Sequence, residues 1–442
     1  MNDHSIIVAP ATALGGAIAT IRLSGEGSIA CCDSIFRGRK PLADTASHTL
    51  HYGTICDDER VVDDVVVAVF RAPHSYTGEE SVEISIHGSR YIASEVIRLL
   101  CKQGARLAEP GEFSRRALAA GRIDLSQAEA VADLIAAESR AAHAIAATQM
   151  RGSYSQMLDS LREELLDITS LLELELDFAE EDVEFADRVR LGSMLKQTES
   201  AVARLIDSFR VGNAIREGVA VAIVGRPNVG KSTLLNRLVG DDRAMVSEIA
   251  GTTRDTIEES VTIDDIRFRF IDTAGLHTTS DQLEQMGIER TERAMRQAQI
   301  VLYMTEPSQS DMTLPTLSEG QTMLVVVNKM DTTDRRDIEG AIYISARNGE
   351  GIDTLRKSLR LTIDTEGLYR GEVVVSNIRH AEALRRAHND LAAALRALDE
   401  GLSGELLAEH IRGAITALAE ITGRITSDDI LHRIFSQFCI GK

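Results

Sequence analysis

The sequence has 442 residues, a length that favours about three domains, and its 44% hydrophobic and 26% charged residues are ordinary for a globular protein. No apolar run approaches the ~18 residues of a membrane span. The first five residues show no basic segment followed by an apolar one, as a signal peptide would, so we expect a cytoplasmic protein without membrane contact. The formal net charge of −20 argues against nonspecific coating of nucleic acid and against binding to anionic membranes.

The cysteines do not form a metal-binding pattern. They are odd in number and lack the spacing of zinc ligands. The adjacent Cys31 and Cys32 are interpreted as ordinary core or surface thiols.

The first 118 residues read as a mixture of strands and a helix. Turn residues are dense there, as at Pro110-Gly111. The pattern predicts strands at Ile18–Leu23, Thr49–Ile55, Val65–Phe70 and Val82–His87, and a helix at Tyr91–Lys102.

Helical spacing of apolar residues begins at Ser126 and is predicted to break at Gly152-Ser153. An acidic stretch at 177–184 follows, which is interpreted as a solvated loop, with a metal site as the alternative. A further helix is predicted around Val189–Val211. Helical spacing returns after residue 375 and ends with the segment Asp428–Phe438.

Between residues 216 and 365 strands and helices alternate, the pattern of a parallel sheet covered by helices. At its start, Gly225–Ser232 fits G-x-x-x-x-G-K-[ST] between the apolar strand Val219–Val224 and a helical pattern. Backbone amides of such a loop surround a phosphate at the helix N-terminus. Lys231 would reach the β- and γ-phosphates, and the Ser232 hydroxyl would bind Mg²⁺. The alternative is a Gly/Ser surface turn.

Two segments further along fit the γ-phosphate and the metal. Thr253 in Gly251–Asp255 is the candidate for a second Mg²⁺ hydroxyl. Asp272 in Asp272-Thr273-Ala274-Gly275 follows the predicted strand Phe268–Ile271 and would hold Mg²⁺ through water. The amide of Gly275 would face the γ-phosphate.

Two more segments fit the base. In Asn328-Lys329-Met330-Asp331, after the predicted strand Met323–Val327, Asp331 can accept two hydrogen bonds from guanine that adenine cannot donate. Ser345-Ala346-Arg347 follows the predicted strand Ala341–Ile344, and its backbone can bond guanine O6. The ordered set predicts a GTP-binding domain, and the Asn-Lys-x-Asp segment counts against the alternative, ATP.

The residue that orients the attacking water in many GTPases, a glutamine after Asp-x-x-Gly, is Leu276 here. A leucine cannot polarise water. From the residues alone, Asp281, Glu284 and Glu289 are equal candidates for that role, and each fits an ordinary solvated helix charge as well.

These patterns predict a multidomain protein: an α+β N-terminal domain, a discontinuous all-α helical domain, and an inserted α/β Ras-like G domain with a P-loop. The predicted boundaries are 1–118, 119–213 plus 370–442, and 214–369.

The chain resembles the MnmE (also TrmE) family of tRNA-modification GTPases over nearly its whole length. The segments that carry the resemblance are Gly225–Ser232 with Asn228, Gly251–Asp255, Asp272–Leu276, Ile288–Arg290, Asp124–Ala130, Thr426–Asp429 and the terminal Phe438–Lys442.

The resemblance implies a homodimer whose G domains pair and are activated by K⁺, with Asn228, the carbonyls of Ser247 and Ile249, and Thr252 as K⁺ ligands. A fixed cation there would stabilise charge that develops in the transition state. It also places the water-orienting carboxylate at Glu284. The full GTP site is then expected at Asn228, Val229, Gly230, Lys231, Ser232, Thr233, Ser247, Ile249, Thr252, Thr253, Asp272, Thr273, Ala274, Gly275, Asn328, Lys329, Asp331, Ser345, Ala346 and Arg347.

For the N-terminal domain the resemblance implies dimerisation and a formyl- or methylene-tetrahydrofolate site at Arg22, Glu83, Arg122 and Lys442. A carboxylate suits the donors of a pterin ring and cations suit a glutamyl tail. Without the resemblance, Glu83 reads as an exposed strand charge. Cys439 is open between a thiol role and packing of the tail.

The implied reaction is shared with a larger FAD-dependent partner, MnmG. Together the two proteins install a carboxymethylaminomethyl-type group on carbon five of the wobble uridine of certain tRNAs. One alternative is a regulatory GTPase of ribosome or RNA maturation without one-carbon chemistry. The other makes the helical and N-terminal parts scaffold and dimerisation modules only.

Two features depart from the family pattern. Residues 306–322 show no amphipathic helix, and His277 stands where arginine is expected.

Overall fold

The computed structural model describes residues 5–177, 188–243, 259–271, 284–307, 314–332, 338–363, 372–426, 428–436, 438 and 441. Backbone contacts divide the chain into two compact units. The first contains Met1–Ala132, Ser155–Asp159 and Leu418–Lys442, and the second contains Asp133–Tyr154 and Ser160–Ala417. The architecture has the predicted parts: an α+β N-terminal region, helices from two separated stretches, and an inserted α/β region. The domain boundaries after residues 118, 213 and 369 stay a prediction.

The first unit contains a seven-stranded sheet in the order β3-β4-β5-β6-β2-β1-β7. Its neighbours pair antiparallel except β1 and β7, which are parallel. All four predicted strands are present. The strands are β1 (Ile7–Pro10), β2 (Ile18–Ser24), β3 (Phe36–Gly38), β4 (Thr49–Asp57), β5 (Arg60–Phe70), β6 (Ser81–His87) and β7 (Arg106–Leu107).

The two faces of this sheet differ. Side chains alternate along a strand, and the valines at 65, 67 and 69 of β5 are buried against α1 (Ser28–Ile35) and α2 (Arg90–Lys102). On the other face Ile18, Leu50 and Tyr52 are 70%, 72% and 70% exposed. The sequence did not predict α1, because most of its residues are buried and no polar stripe marks a helix period.

The helical stretches form as the apolar spacing predicted, with one additional break. The predicted interruption lies at Gly152, which has a φ of +85°. A second interruption at residues 137–139 was not predicted: Ser139 ends it by accepting a hydrogen bond from the Ala142 amide at 3.2 Å. The helices after α2 are α3 (Glu112–Ala119), α4 (Leu125–Ala136), α5 (Arg140–Met150), α6 (Ser153–Asp177), α7 (Arg188–Glu217), α8 (Lys231–Arg243), α9 (Glu284–Gln297), α10 (Ile352–Leu361), α11 (Ile378–Asp399), α12 (Gly404–Thr422) and α13 (Asp428–Phe435).

None of the helices in the described ranges is both long and apolar enough to cross a membrane. Of the segment 306–322, the described residues 306–307 and 314–321 are not helical. The acidic stretch at 178–184 lies outside the described residues.

The second unit contains a six-stranded sheet in the order β13-β12-β11-β8-β10-β9. All of its neighbouring strands are parallel except β9 and β10. The carboxyl ends of parallel strands share one edge, so the loops that follow β8, β10, β11, β12 and β13 leave the sheet together. The strands are β8 (Val219–Gly225), β9 (Glu259–Ile263), β10 (Ile266–Phe270), β11 (Ile300–Thr305), β12 (Thr322–Val327) and β13 (Ile342–Tyr343).

The described residues near the end of the chain pack within the first unit. Phe435 of α13 is buried against Leu125 and Ala128 of α4. Beyond it Gly441 has a φ of +99°, and a Cβ atom there would lie 2.0 Å from the Pro10 carbonyl oxygen. Only glycine fits this close approach to β1. The contact places Gly441, which precedes Lys442 in the chain, against the N-terminal sheet.

Candidate functional site

The predicted phosphate loop joins β8 to α8 at the carboxyl edge of the second sheet. Asn228 and Gly230 both have left-handed backbone, with φ values of 65° and 98°. The helix that follows is anchored by three buried leucines, Leu234, Leu235 and Leu238. The loop therefore presents the N-terminus of a packed helix, the arrangement that binds an anion.

Lys231 lies across its own loop. Its ammonium donates hydrogen bonds to the carbonyl oxygens of Gly225 at 2.8 Å and Arg226 at 2.9 Å. Burial lowers the pKa of the Lys231 ammonium. These contacts place the positive charge at the mouth of the loop.

Asn328 connects the phosphate loop with the segment at 345–347. Its side-chain nitrogen donates to the Val229 carbonyl at 2.8 Å, and its oxygen accepts from the Ala346 amide at 2.9 Å. The residue is 3% exposed. A Cβ atom on Gly230 would lie 2.2 Å from the Asn328 nitrogen, so the bond also requires a glycine in the loop.

Asp331, the predicted guanine-binding carboxylate, lies beside Ser345. Its Oδ1 atom accepts a hydrogen bond from the buried Ser345 hydroxyl at 2.8 Å. Arg237 of α8 donates to the carbonyl oxygen of Arg347 at 2.7 Å. The two segments predicted to contact the base are therefore adjacent and are joined to the helix of the phosphate loop.

Several predicted residues lie outside the described part of the chain: Ser247, Ile249, Thr252, Thr253, Asp272, Thr273, Ala274, Gly275, Cys439 and Lys442. Glu284 begins α9, but its side chain also lies outside that part. The described residues contain no group of three or more His, Cys, Asp or Glu arranged to hold a metal.

Two predicted folate residues are joined directly. Arg22 and Glu83 are register partners on the antiparallel strands β2 and β6. The Arg22 Nε and Nη2 atoms lie 2.9 and 2.8 Å from the same carboxylate oxygen of Glu83. The two side chains are 20% and 30% exposed. Glu83 is therefore a partly buried strand charge paired with Arg22, rather than the exposed strand charge that its residue type alone suggests.

Two aromatic rings and the chain end surround this ion pair. The Arg22 guanidinium carbon lies 5.4 Å from the centre of the Tyr76 ring and 5.7 Å from that of Phe113, within the range of cation–π contacts. Arg22 also donates to the Gly441 carbonyl at 3.4 Å. Sequence patterns did not single out Tyr76 or Phe113, because their separation from Arg22 follows no period.

Arg122 lines a cavity of about 330 Å³ in the first unit. Tyr76 also lines it and contacts Arg22, so the same residue borders both the ion pair and the cavity. Among the described residues the lining consists of His48, Phe70, His74, Ser75, Tyr76 and Arg122, which include three basic side chains and no carboxylate.

Comparison with known proteins gives full-length matches. A family model described as the MnmE helical domain matches residues 125–439, and one described as the GTP-binding protein TrmE N-terminus matches residues 6–122. A tRNA modification GTPase MnmE of Bacteroides thetaiotaomicron is 45% identical over 464 residues, covering 100% of both chains. One of Cytophaga hutchinsonii is 47% identical over 454 residues, covering 100% of this chain and 98% of its own.

The chain belongs to the MnmE family of tRNA modification GTPases. The predicted family and the predicted enzyme class, a GTP hydrolase, are confirmed by these matches. GTP and Mg²⁺ follow from membership of a GTPase family. Among solved structures, Aquifex aeolicus Era is 24% identical over 38% of this chain and 65% of that chain. Its TM-score of 0.24 is too low to support a conclusion.

Proposed function

We propose that this MnmE family member is a K⁺-activated, Mg²⁺-dependent GTPase of the cytoplasm that acts with an MnmG-like FAD protein. The pair would modify carbon five of the wobble uridine of certain tRNAs with a carboxymethylaminomethyl-type group, using a one-carbon unit of tetrahydrofolate. The observation that carries the proposal is the match to MnmE proteins over the whole chain. A partner that supplies much of the tRNA-binding surface would explain how a chain with a net charge of −20 acts on tRNA.

The test is mass spectrometry of the wobble uridine in tRNA from cells that lack this protein. We expect the modified nucleoside to disappear and to return when the intact gene is supplied. An unchanged nucleoside, together with a defect in ribosome assembly, would favour the alternative of a regulatory GTPase.

The nucleotide chemistry is assigned to the edge of the second sheet. Ser232 and Thr253 would bind Mg²⁺, and Asp272 would hold it through water. The family pattern implies that K⁺ is bound by Asn228, the carbonyls of Ser247 and Ile249, and Thr252. Exposure of Asn228 at the turn of the phosphate loop supports this part of the proposal, because a cation ligand must be accessible.

The K⁺ assignment predicts faster GTP turnover in KCl than in NaCl at equal ionic strength. Asn228→Ala should lower turnover in KCl to the rate in NaCl, whereas the control Asn236→Ala, an exposed asparagine on α8, should keep the difference. Equal rates in the two salts would refute the assignment.

Glu284 is proposed to orient the attacking water, since Leu276 cannot do so. Glu284→Ala should lower turnover and leave GTP affinity nearly unchanged, because a water-orienting group acts mainly in the transition state. Glu289→Ala is the matched control from the same helix, and an equal loss in both variants would contradict the assignment.

The folate part of the proposal uses the ion pair and the cavity. Glu83 can accept hydrogen bonds from a pterin ring, and the basic cavity around Arg122 suits the anionic tail of the same ligand. Lys442 remains part of the proposal, supported by the contact of the preceding Gly441 with Arg22. For Cys439 a thiol role stays open beside packing of the tail.

Titration calorimetry with formyl-tetrahydrofolate tests whether the cavity around Arg122 binds the anionic tail of this ligand. Arg122→Ala should weaken binding, whereas Arg39→Ala, an exposed arginine that does not line the cavity, should not. If the intact protein releases or absorbs no heat at high micromolar ligand, the proposal of a folate site is refuted.

A homodimer is proposed through the exposed face of the first sheet. Ile18, Leu50 and Tyr52 expose apolar surface there, and such patches commonly mark association sites. Tyr52→Asp should shift the mass in solution from dimer to monomer, as measured by light scattering. A variant that stays dimeric would exclude this face as the main interface.

A further inference from the structure

An ion pair at the edge of the second sheet involves a residue that no motif includes. Strands β11 and β12 are parallel neighbours with Thr305 opposite Val327. The next residues, Glu306 and Asn328, therefore leave the sheet side by side. The backbone N–H of Asn328 donates a hydrogen bond to the Thr305 carbonyl oxygen at 2.9 Å. One residue further, the Lys329 ammonium donates a hydrogen bond to the Glu306 carboxylate.

The backbone of Lys329 is constrained as well. Its φ is 68°, in the left-handed region that non-glycine residues seldom occupy. Its carbonyl oxygen accepts hydrogen bonds from the Thr332 amide at 3.0 Å and the Thr332 hydroxyl at 2.7 Å. This turn carries Asp331, the carboxylate assigned to guanine. The start of the Lys329 side chain is thus set by the backbone and its end by Glu306.

We propose that Glu306 is a positioning residue for the guanine base, acting through Lys329. An unpaired lysine is strongly hydrated and samples many rotamers, and that freedom is lost when a ligand binds against it. A carboxylate that holds the ammonium fixes the methylene stem beforehand. The stem is then an ordered apolar surface beside Asp331, against which a planar base packs.

This inference rests on the proposed guanine site, and it differs from a simple stabilising role for the pair. The side chains of Lys329 and Glu306 are 39% and 27% exposed. Ion pairs this accessible contribute little to folding. A role in ordering a ligand-binding side chain instead affects the affinity for the nucleotide.

A double-mutant cycle on GDP affinity tests the proposal, with titration calorimetry on the full chain. The variants are Glu306→Gln, Lys329→Met, which keeps an apolar stem without the charge, and the two combined. We expect Glu306→Gln to weaken GDP binding about fivefold, within the coupling range of contacting residues. In the Lys329→Met background the same change should have no further effect. In the chain that keeps Lys329, Glu306→Asp should bind GDP more tightly than Glu306→Gln, because it retains a carboxylate.

Turnover distinguishes positioning from catalysis. Glu306→Gln should raise KM for GTP and leave kcat unchanged, because the base is bound equally in the ground state and the transition state. Glu319→Gln, an exposed carboxylate in the same region of sequence, should change neither. Thermal unfolding of each variant should match the parent within a few degrees, which shows that the affinity was measured on folded protein.

The proposal is overturned if Glu306→Gln binds GDP as tightly as the parent, or if it weakens binding equally with and without Lys329. Failure of the guanine site itself has a different signature. Asp331→Asn should reduce the affinity for GDP and favour the xanthine nucleotide, since an amide can donate to the xanthine oxygen where Asp331 accepts from guanine. If Asp331→Asn leaves GDP affinity unchanged, the guanine assignment is wrong whatever the cycle shows.

Discussion

The nucleotide edge of the second sheet and the centre of the first sheet differ in how they place the side chains proposed for function. At the edge, Asn328 and Ser345 stand just after the ends of strands, in short loops. In the first sheet, Arg22 and Glu83 lie within β2 and β6 and meet through strand register across 61 positions of sequence. A loop site needs particular residues for its backbone conformation, so a motif marks it. A site within strands needs only correct pairing, which leaves no local motif.

The two regions also differ in what their polar groups contact. Asn328 is 3% exposed, and both ends of its amide bond to protein backbone, so it supports the loops rather than facing solvent. Arg22 and Glu83 are partly exposed and contact each other. Removing Asn328 should therefore weaken the support of the loops, and removing Glu83 should weaken the proposed folate contact. Three substitutions test this difference, and a fourth tests the stability of the first unit.

The largest effect is expected at Lys231. Lys231→Ala removes the positive charge at the phosphate loop and should lower GTP turnover by about 100-fold, as for other transition-state charge contacts. Formyl-tetrahydrofolate affinity should not change, because the two sites belong to different units of the chain. The control is Lys357→Ala, an exposed lysine on α10. A parallel loss of folate binding would show that the sites are not independent.

Glu83→Ala should weaken formyl-tetrahydrofolate binding by about 30-fold, because it removes a proposed ligand contact and leaves the Arg22 charge without its partner. Calorimetry measures the affinity, and GTP turnover should stay at the parent rate. Glu59→Ala, an exposed carboxylate between β4 and β5, serves as the control. Unchanged folate affinity in Glu83→Ala would remove the ion pair from the proposed site.

Asn328→Ala should affect folding and nucleotide affinity together. It leaves the Val229 carbonyl and the Ala346 amide without their hydrogen bonds, which should lower the free energy of unfolding by about 2 kcal/mol. GDP affinity should fall because the phosphate loop and the base segment are no longer joined. Denaturant unfolding and calorimetry check the two effects, with Asn236→Ala as the control. A loss of affinity without loss of stability would mean that Asn328 contacts the ligand directly.

The fourth change concerns folding stability, at Glu112 in the first unit. Its carboxylate is 1% exposed and accepts hydrogen bonds from Arg106 at 2.6 Å, Arg116 at 3.1 Å and the Glu109 amide at 2.9 Å. Burial acts to raise the pKa of Glu112, but the bonds from Arg106, Glu109 and Arg116 outweigh it, and the pKa is lowered.

A lowered pKa in the folded state means that the stabilisation is complete above the unfolded-state pKa of about 4.3 and is lost as the pH falls through the folded-state value. The parent should therefore be more stable than Glu112→Gln at pH 7, and the difference should shrink as the solution is acidified below that range. Melting temperatures across this pH series measure it. A difference that grows on acidification would contradict the sign of the shift.

The positions of most nucleotide motifs at the ends of strands could be predicted from the sequence. The phosphate loop, Asp331 and Ser345 each follow a strand of the second sheet, as predicted. These positions are readable because a tight turn at a strand end restricts both backbone and side chain, as the left-handed Gly230 shows. The residues at 244–258 and 272–283 lie outside the described part, so the γ-phosphate and K⁺ assignments remain predictions.

Sequence was sufficient to assign the class of each region, the order of the nucleotide motifs and the family, because all three depend on local spacing and residue type. The folded chain was needed to show that Arg22 contacts Glu83, Tyr76, Phe113 and Gly441, and that Glu306 contacts Lys329. These contacts come from strand register and from where the chain end packs. Both depend on the folded core as a whole, and no short segment of sequence records them.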